Sequence, residues 1–148
     1  MNIEAEPQAT APGSRAKWIE NWGSEDLRKT ANPRRVLVVE DNLDSVHSMV
    51  MLVRSMGHVV DFAINGYAAV FLARQMRPQL VFLDLGLPGL DGFEVCRRIK
   101  ADPVLSQARV VAVTGYAQVD YEHRAREAGA EAFFRKPLSI SVLEDLLS

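Results

Sequence analysis

Several side chains in this sequence are of the types that handle phosphoryl groups, and each lies just past a short apolar run. Glu40 and Asp41 follow Val36–Val39, Asp84 follows Leu80–Leu83, Thr114 follows Val110–Val113, and Lys136 comes just after Ala132–Phe134. Three carboxylates gathered at one place repel unless a cation sits among them. Oxygen donors without a His or Cys ligand suit a hard cation, Mg²⁺ first and Ca²⁺ or Mn²⁺ less well. The Lys136 ammonium can neutralise phosphoryl oxygens, and the Thr114 hydroxyl can donate a hydrogen bond to one. After Asp84 comes Leu85-Gly86-Leu87-Pro88-Gly89-Leu90-Asp91-Gly92, a loop in which a backbone carbonyl can approach a metal. The set describes phosphoryl transfer to an aspartate nucleophile.

That chemistry requires elements that bring distant positions to one edge. Val36–Val39 is wholly apolar and β-branched-rich, as in a strand buried on both faces of a parallel sheet. Val46, Met49, Val50, Val53 and Met56 recur at helical spacing, closed by Gly57. Further strands are predicted at Val59–Ala63, Leu80–Leu83, Val110–Val113 and Ala132–Phe134. Helices are predicted from an Asn65 cap through Gln75, over Phe93–Ala101 and Val119–Ala128, and from Ser139 or Ser141 to the end, where Ser141–Glu144 matches a capping box. Five strands alternating with five helices predict an α/β domain with a doubly wound parallel sheet and helices on both faces. In such sheets ligands bind at the carboxyl ends of the strands, which is where the five side chains fall.

Composition narrows the class. The 148 residues are 48% hydrophobic and 24% charged with a net charge of −2, globular values that give no general attraction to nucleic acid or membrane. The single cysteine, Cys96, excludes a disulfide framework and a cysteine zinc site, and it reads as a small core residue. The longest apolar run, Ala68–Ala73, is far too short to span a bilayer. The expectation is a cytoplasmic protein that inserts in no membrane and binds no nucleic acid directly. His47, His58 and His123 lack metal-ligand spacing and read as structural or surface residues. Residues 1–33 form an extension: Met1–Ser14 is expected to be disordered, and Ala16–Thr30 could form a short helix carrying Trp18 and Trp22. Residues 34–148 form the regular domain.

At these residues the chain resembles the receiver domain of two-component response regulators. Four motifs carry the likeness: Val36-Leu-Val-Val-Glu40-Asp41, Leu83-Asp84-Leu-Gly-Leu-Pro88-Gly-Leu-Asp91-Gly92, Val113-Thr114-Gly-Tyr-Ala, and Phe133-Phe-Arg-Lys136-Pro137. The resemblance implies a flavodoxin-like sheet of order 2-1-3-4-5. It implies that Asp84 accepts the phosphoryl group from a phosphohistidine on a kinase or a histidine phosphotransfer protein. Asp41, Asp84 and the Gly86 carbonyl would hold Mg²⁺, with Glu40 acting mainly through water; Mn²⁺ is a second choice. Lys136 would hold a phosphoryl oxygen and join Pro137 through a cis bond. Thr114 and Phe133 would be the switch residues, and Gly86 and Tyr116 occupy positions that tune dephosphorylation.

Two other readings compete. An aspartate-nucleophile phosphatase of the haloacid-dehalogenase type usually carries a second Asp two residues after the first, where this chain has Gly86. A receiver-like scaffold that is never phosphorylated would not need Asp41, Asp84, Thr114 and Lys136 together. No residues follow the last predicted helix, so the expectation is a single-domain regulator, not a turnover enzyme. It would signal to a protein target through the surface formed by the helix Val119–Ala128, the strand around Phe133 and the last helix, a second copy of the chain being among the allowed partners.

Overall fold

The structure, a computed structural model, describes residues 30–148. The expectations for Met1–Ser14 and for a short helix carrying Trp18 and Trp22 fall on residues 1–29, outside the described residues. Strands and helices alternate: β1 (Arg35–Val39), α1 (Leu43–Ser55), β2 (Val59–Ala63), α2 (Gly66–Met76), β3 (Leu80–Leu83), α3 (Gly92–Ala101), β4 (Arg109–Thr114), α4 (Tyr121–Ala128), β5 (Ala132–Arg135) and α5 (Ile140–Leu147). The sheet is wholly parallel, in the order β2-β1-β3-β4-β5, as the resemblance implied.

Because successive strand residues face opposite ways, each strand feeds two cores. Leu37, Val39, Val81, Leu83, Val110 and Ala112 pack under α2, α3 and α4. Val36, Val38, Leu80, Phe82, Val111 and Val113 pack under α1 and α5. This is why the inner strands read as unbroken apolar runs rather than alternating ones.

Helix starts follow local chemistry. The side chains of Asn42, Asn65, Asp91 and Ser139 each accept a hydrogen bond from the backbone N–H three residues on, offsetting one unpaired amide at each helix start. Ser139 rather than Ser141 caps α5, choosing between the two expected starts. The predicted Val119 start is two residues early. Val119 is fully exposed and sits in a turn closed by the Tyr121 amide on the Gln118 carbonyl, so it has no apolar contact to draw it into α4.

The amino edge of the sheet is tied crosswise. The Arg109 guanidinium donates to Glu131 Oε2 through Nε (3.0 Å) and Nη2 (2.7 Å), and through Nη1 to the Leu146 carbonyl (3.1 Å). The Arg34 amide donates to His58 Nδ1 at 2.9 Å, and its Nη2 donates to the Ser148 carbonyl at 2.7 Å.

Candidate functional site

Strand register assembles the site. β1 and β3 pair with Val39 opposite Leu83, and β4 and β5 pair with Thr114 opposite Arg135. Each ladder is carried one residue further: the Asp84 amide donates to the Val39 carbonyl, and the Lys136 amide to the Thr114 carbonyl, both at 2.9 Å. The residues after these strands are thus fixed by main-chain bonds at one level of the sheet.

Glu40, Asp41 and Asp84 converge so that one carboxylate oxygen from each lies within 4.8 Å of the others. Among the described residues this is the one such group of potential metal ligands. Lys136 Nζ reaches two of them, pairing with Glu40 Oε1 and with Asp84 Oδ2 at 3.1 Å. The other oxygens are held by backbone: Glu40 Oε2 accepts from the Asn42 amide at 3.0 Å, and Asp84 Oδ1 from the Gly86 amide at 3.0 Å. Glu40 is only 5% exposed, Asp84 is half-buried, and Asp41 is exposed.

Burial pushes the Glu40 carboxyl above its ordinary range, outweighing the hydrogen bonds from Lys136 and the Asn42 amide; the nearby Asp84 charge adds to the push. Burial also pulls the Lys136 ammonium down, but its bonds to Glu40 and Asp84 outweigh that and hold it above its ordinary value. Three carboxylates against one ammonium leave an excess of negative charge in a partly desolvated place. A hard cation would relieve it, and the oxygen-only donor set fits Mg²⁺.

The other predicted residues divide. Thr114 is buried at the end of β4, but its hydroxyl donates to the Tyr116 carbonyl at 3.1 Å and accepts weakly from the Tyr116 amide at 3.4 Å. It is hydrogen-bonded within its own loop, not to Asp84. Tyr116 projects into solvent, Gly86 is exposed, and Phe133 is half-buried against the α2-α3-α4 core. The Lys136–Pro137 bond is cis. Cys96 is buried, and burial raises its thiol to about 11, so it stays protonated and inert near neutral pH.

Three contributors were given no role by sequence reasoning. Asn42 both caps α1 and fixes Glu40 through its amide; an Asn just before an apolar-periodic run was the readable signal. Gly92 and Gly66 allow close backbone approach. A Cβ on Gly92 would lie 2.5 Å from the Asp84 carbonyl oxygen, and one on Gly66 would lie 2.1 Å from that of Leu90. No local pattern announces such contacts, because the partner is distant in sequence. Beside the carboxylates lies a cavity of about 360 Å³, reaching down between α1, α5 and the sheet.

The geometry has close counterparts among known proteins. A sequence profile of the response regulator receiver domain matches residues 36–148. The polar-differentiation response regulator DivK of Brucella anthropi is 37% identical over 108 residues, covering 73% of this chain and 88% of that protein. The receiver domain of a sensor histidine kinase from Pseudomonas aeruginosa, solved with magnesium coordinated in its active site cleft, superposes with a TM-score of 0.71 at 29% identity over 78% of this chain and 95% of that one. A receiver domain from Colwellia psychrerythraea gives 0.70 at 31% identity over 76% and 94%.

Proposed function

The chain belongs to the response regulator receiver family, and from that membership we propose that its signalling chemistry is phosphoryl transfer to Asp84. The carrying observation is the triangle of Lys136 with Glu40 and Asp84 beside Asp41, at the carboxyl edge of a sheet of receiver topology. In the reaction an Asp84 oxygen attacks phosphorus, the P–N bond of a phosphohistidine donor breaks, and the imidazole leaves with that electron pair. The product is an acyl phosphate on Asp84. Carboxylate oxygens of Asp41 and Asp84, the Gly86 carbonyl, and Glu40 through water would hold Mg²⁺, whose role is to offset charge on the transferring oxygens. Mn²⁺ would fit the same oxygens less well. Lys136, already against Asp84, exchanges that partner for a phosphoryl oxygen. Thr114 then turns from the Tyr116 carbonyl toward the phosphoryl group, releasing its own loop.

That release biases the packing of β4, α4 and β5. Thr114 and Phe133 act as switch residues, the α4-β5-α5 face presents the signal to a protein target, and Gly86 and Tyr116 set the lifetime of the phosphate. The donor is a histidine kinase or a histidine phosphotransfer protein. The domain turns over no separate substrate. With Gly86 two residues after Asp84, a phosphatase lacks its usual second acid.

Incubation with acetyl phosphate and Mg²⁺, followed by intact mass, tests the reading. The expected result is one phosphoryl adduct per chain, lost in Asp84→Asn and on chelation of the metal. Steady hydrolysis of many phosphate esters would instead favour the phosphatase. No adduct with any donor would leave an unphosphorylated scaffold.

A further inference from the structure

The cavity beside the carboxylates is larger than phosphoryl chemistry requires. At about 360 Å³ it falls within the ~300–1,000 Å³ of pockets that take up whole ligands. Met49 and Leu52 of α1, Leu138 and Leu143 around α5, and Phe82 and Val113 of the sheet make its walls apolar. Its mouth is acidic, with Glu40, Asp44 and Asp84 against Lys136 as the one cation among the described residues there. We propose that this cleft is the docking site of the chain's own N-terminal segment, with Trp18 and Trp22 as its anchors.

Three observations select that occupant. The first is composition: both tryptophans of the protein lie in residues 1–29, four positions apart, with Ile19 between them. The second is charge: Arg15 and Lys17 immediately precede Trp18, complementing the acidic mouth. The third is reach. Arg34 bonds the Ser148 carbonyl, so the chain joins the sheet beside the far end of α5, which forms one wall of the cleft. Five residues of β1, about 17 Å, separate that point from the level of Glu40. The 12 residues from Trp22 to Arg34 can span about 40 Å. The segment is therefore long enough to reach from the start of β1, past α1 and α5, to the acidic mouth. Its docking does not depend on whether Asp84 accepts a phosphoryl group.

Because the protein has only Trp18 and Trp22, its tryptophan fluorescence reports the segment alone. The full chain is expected to emit at shorter wavelength than a peptide of residues 1–29 and to resist acrylamide quenching, at every protein concentration. Leu52→Glu is expected to shift emission to longer wavelength. Ser48→Arg is expected to do the same from an exposed position on the cleft rim, where the core is untouched. Peptide-like emission from the unmodified chain would overturn the proposal. So would a blue shift that neither substitution moves. A blue shift lost on dilution would overturn it in favour of a second copy filling the cleft.

Discussion

At the scale of single residues, Lys136 is tied at once to Glu40 and to Asp84. Among the described residues it is the one cation paired with the carboxylate cluster, so it competes for the place a divalent ion would take. Lys136→Met removes that competitor and leaves the three carboxylates to repel. We expect Mg²⁺ affinity to rise by roughly tenfold, equivalent to about 1.4 kcal/mol, while labelling by acetyl phosphate slows. Calorimetric Mg²⁺ titration and intact mass read the two effects separately; weaker Mg²⁺ binding would show that Lys136 supports the carboxylate arrangement instead of opposing it. The types and order of these residues were legible in the sequence because each follows an apolar run. The conformation of Thr114 was not: whether a hydroxyl faces the carboxylates or its own loop depends on a turn at Gly115 and Tyr116 that carries no strong pattern.

At the scale of elements, the helix starts and buried strands were readable because they rest on local rules, alternation of apolar runs and short polar caps. The α4 start was not, because helical spacing alone places Val119 inside while its surroundings leave it in water. Close approaches between elements were equally hidden. Gly66 at the start of α2 touches the loop that carries Gly86, and its missing side chain is what permits the contact with Leu90. Gly66→Ala drives a methyl group into backbone, so the loop must yield. We expect a loss of about 1–3 kcal/mol, seen as a lower urea midpoint, and slower labelling of Asp84 in the fraction that folds. Unchanged labelling with lowered stability would show that the loop absorbs the shift without disturbing the site.

At the scale of the whole molecule, the start of the described chain is fastened to the fold through a titratable group. Burial, and then the charge of Arg34, hold the His58 imidazole below its ordinary value of 6.5. Its Nδ1 must stay unprotonated to accept the Arg34 amide. The folded form therefore binds its proton less readily than the unfolded chain. The stabilisation is complete above about pH 6.5 and is lost as pH falls through the lower folded value, with a slope of at most about 1.4 kcal/mol per pH unit. In His58→Asn a side-chain oxygen can accept the same bond without titrating. Urea unfolding from pH 7.5 to 5 is expected to show a flatter profile for the variant; parallel profiles would remove His58 as the source. Nothing in the sequence around His58 pointed to this, since its partner is 24 residues away.

The crossed bonds of Arg109 have a mechanical consequence. They rivet β4, the start of β5 and the tail of α5 at the margin opposite the carboxylates. In the proposed switch, a rearrangement beginning at Thr114 would meet this tie at the far margin. Pieces tied there would rock about the tie, like the ribs of a fan, with displacement growing toward the open rim. Small shifts of one hydroxyl and one ammonium would thus be read out as lever-arm travel, largest where the loop bearing Tyr116 meets solvent.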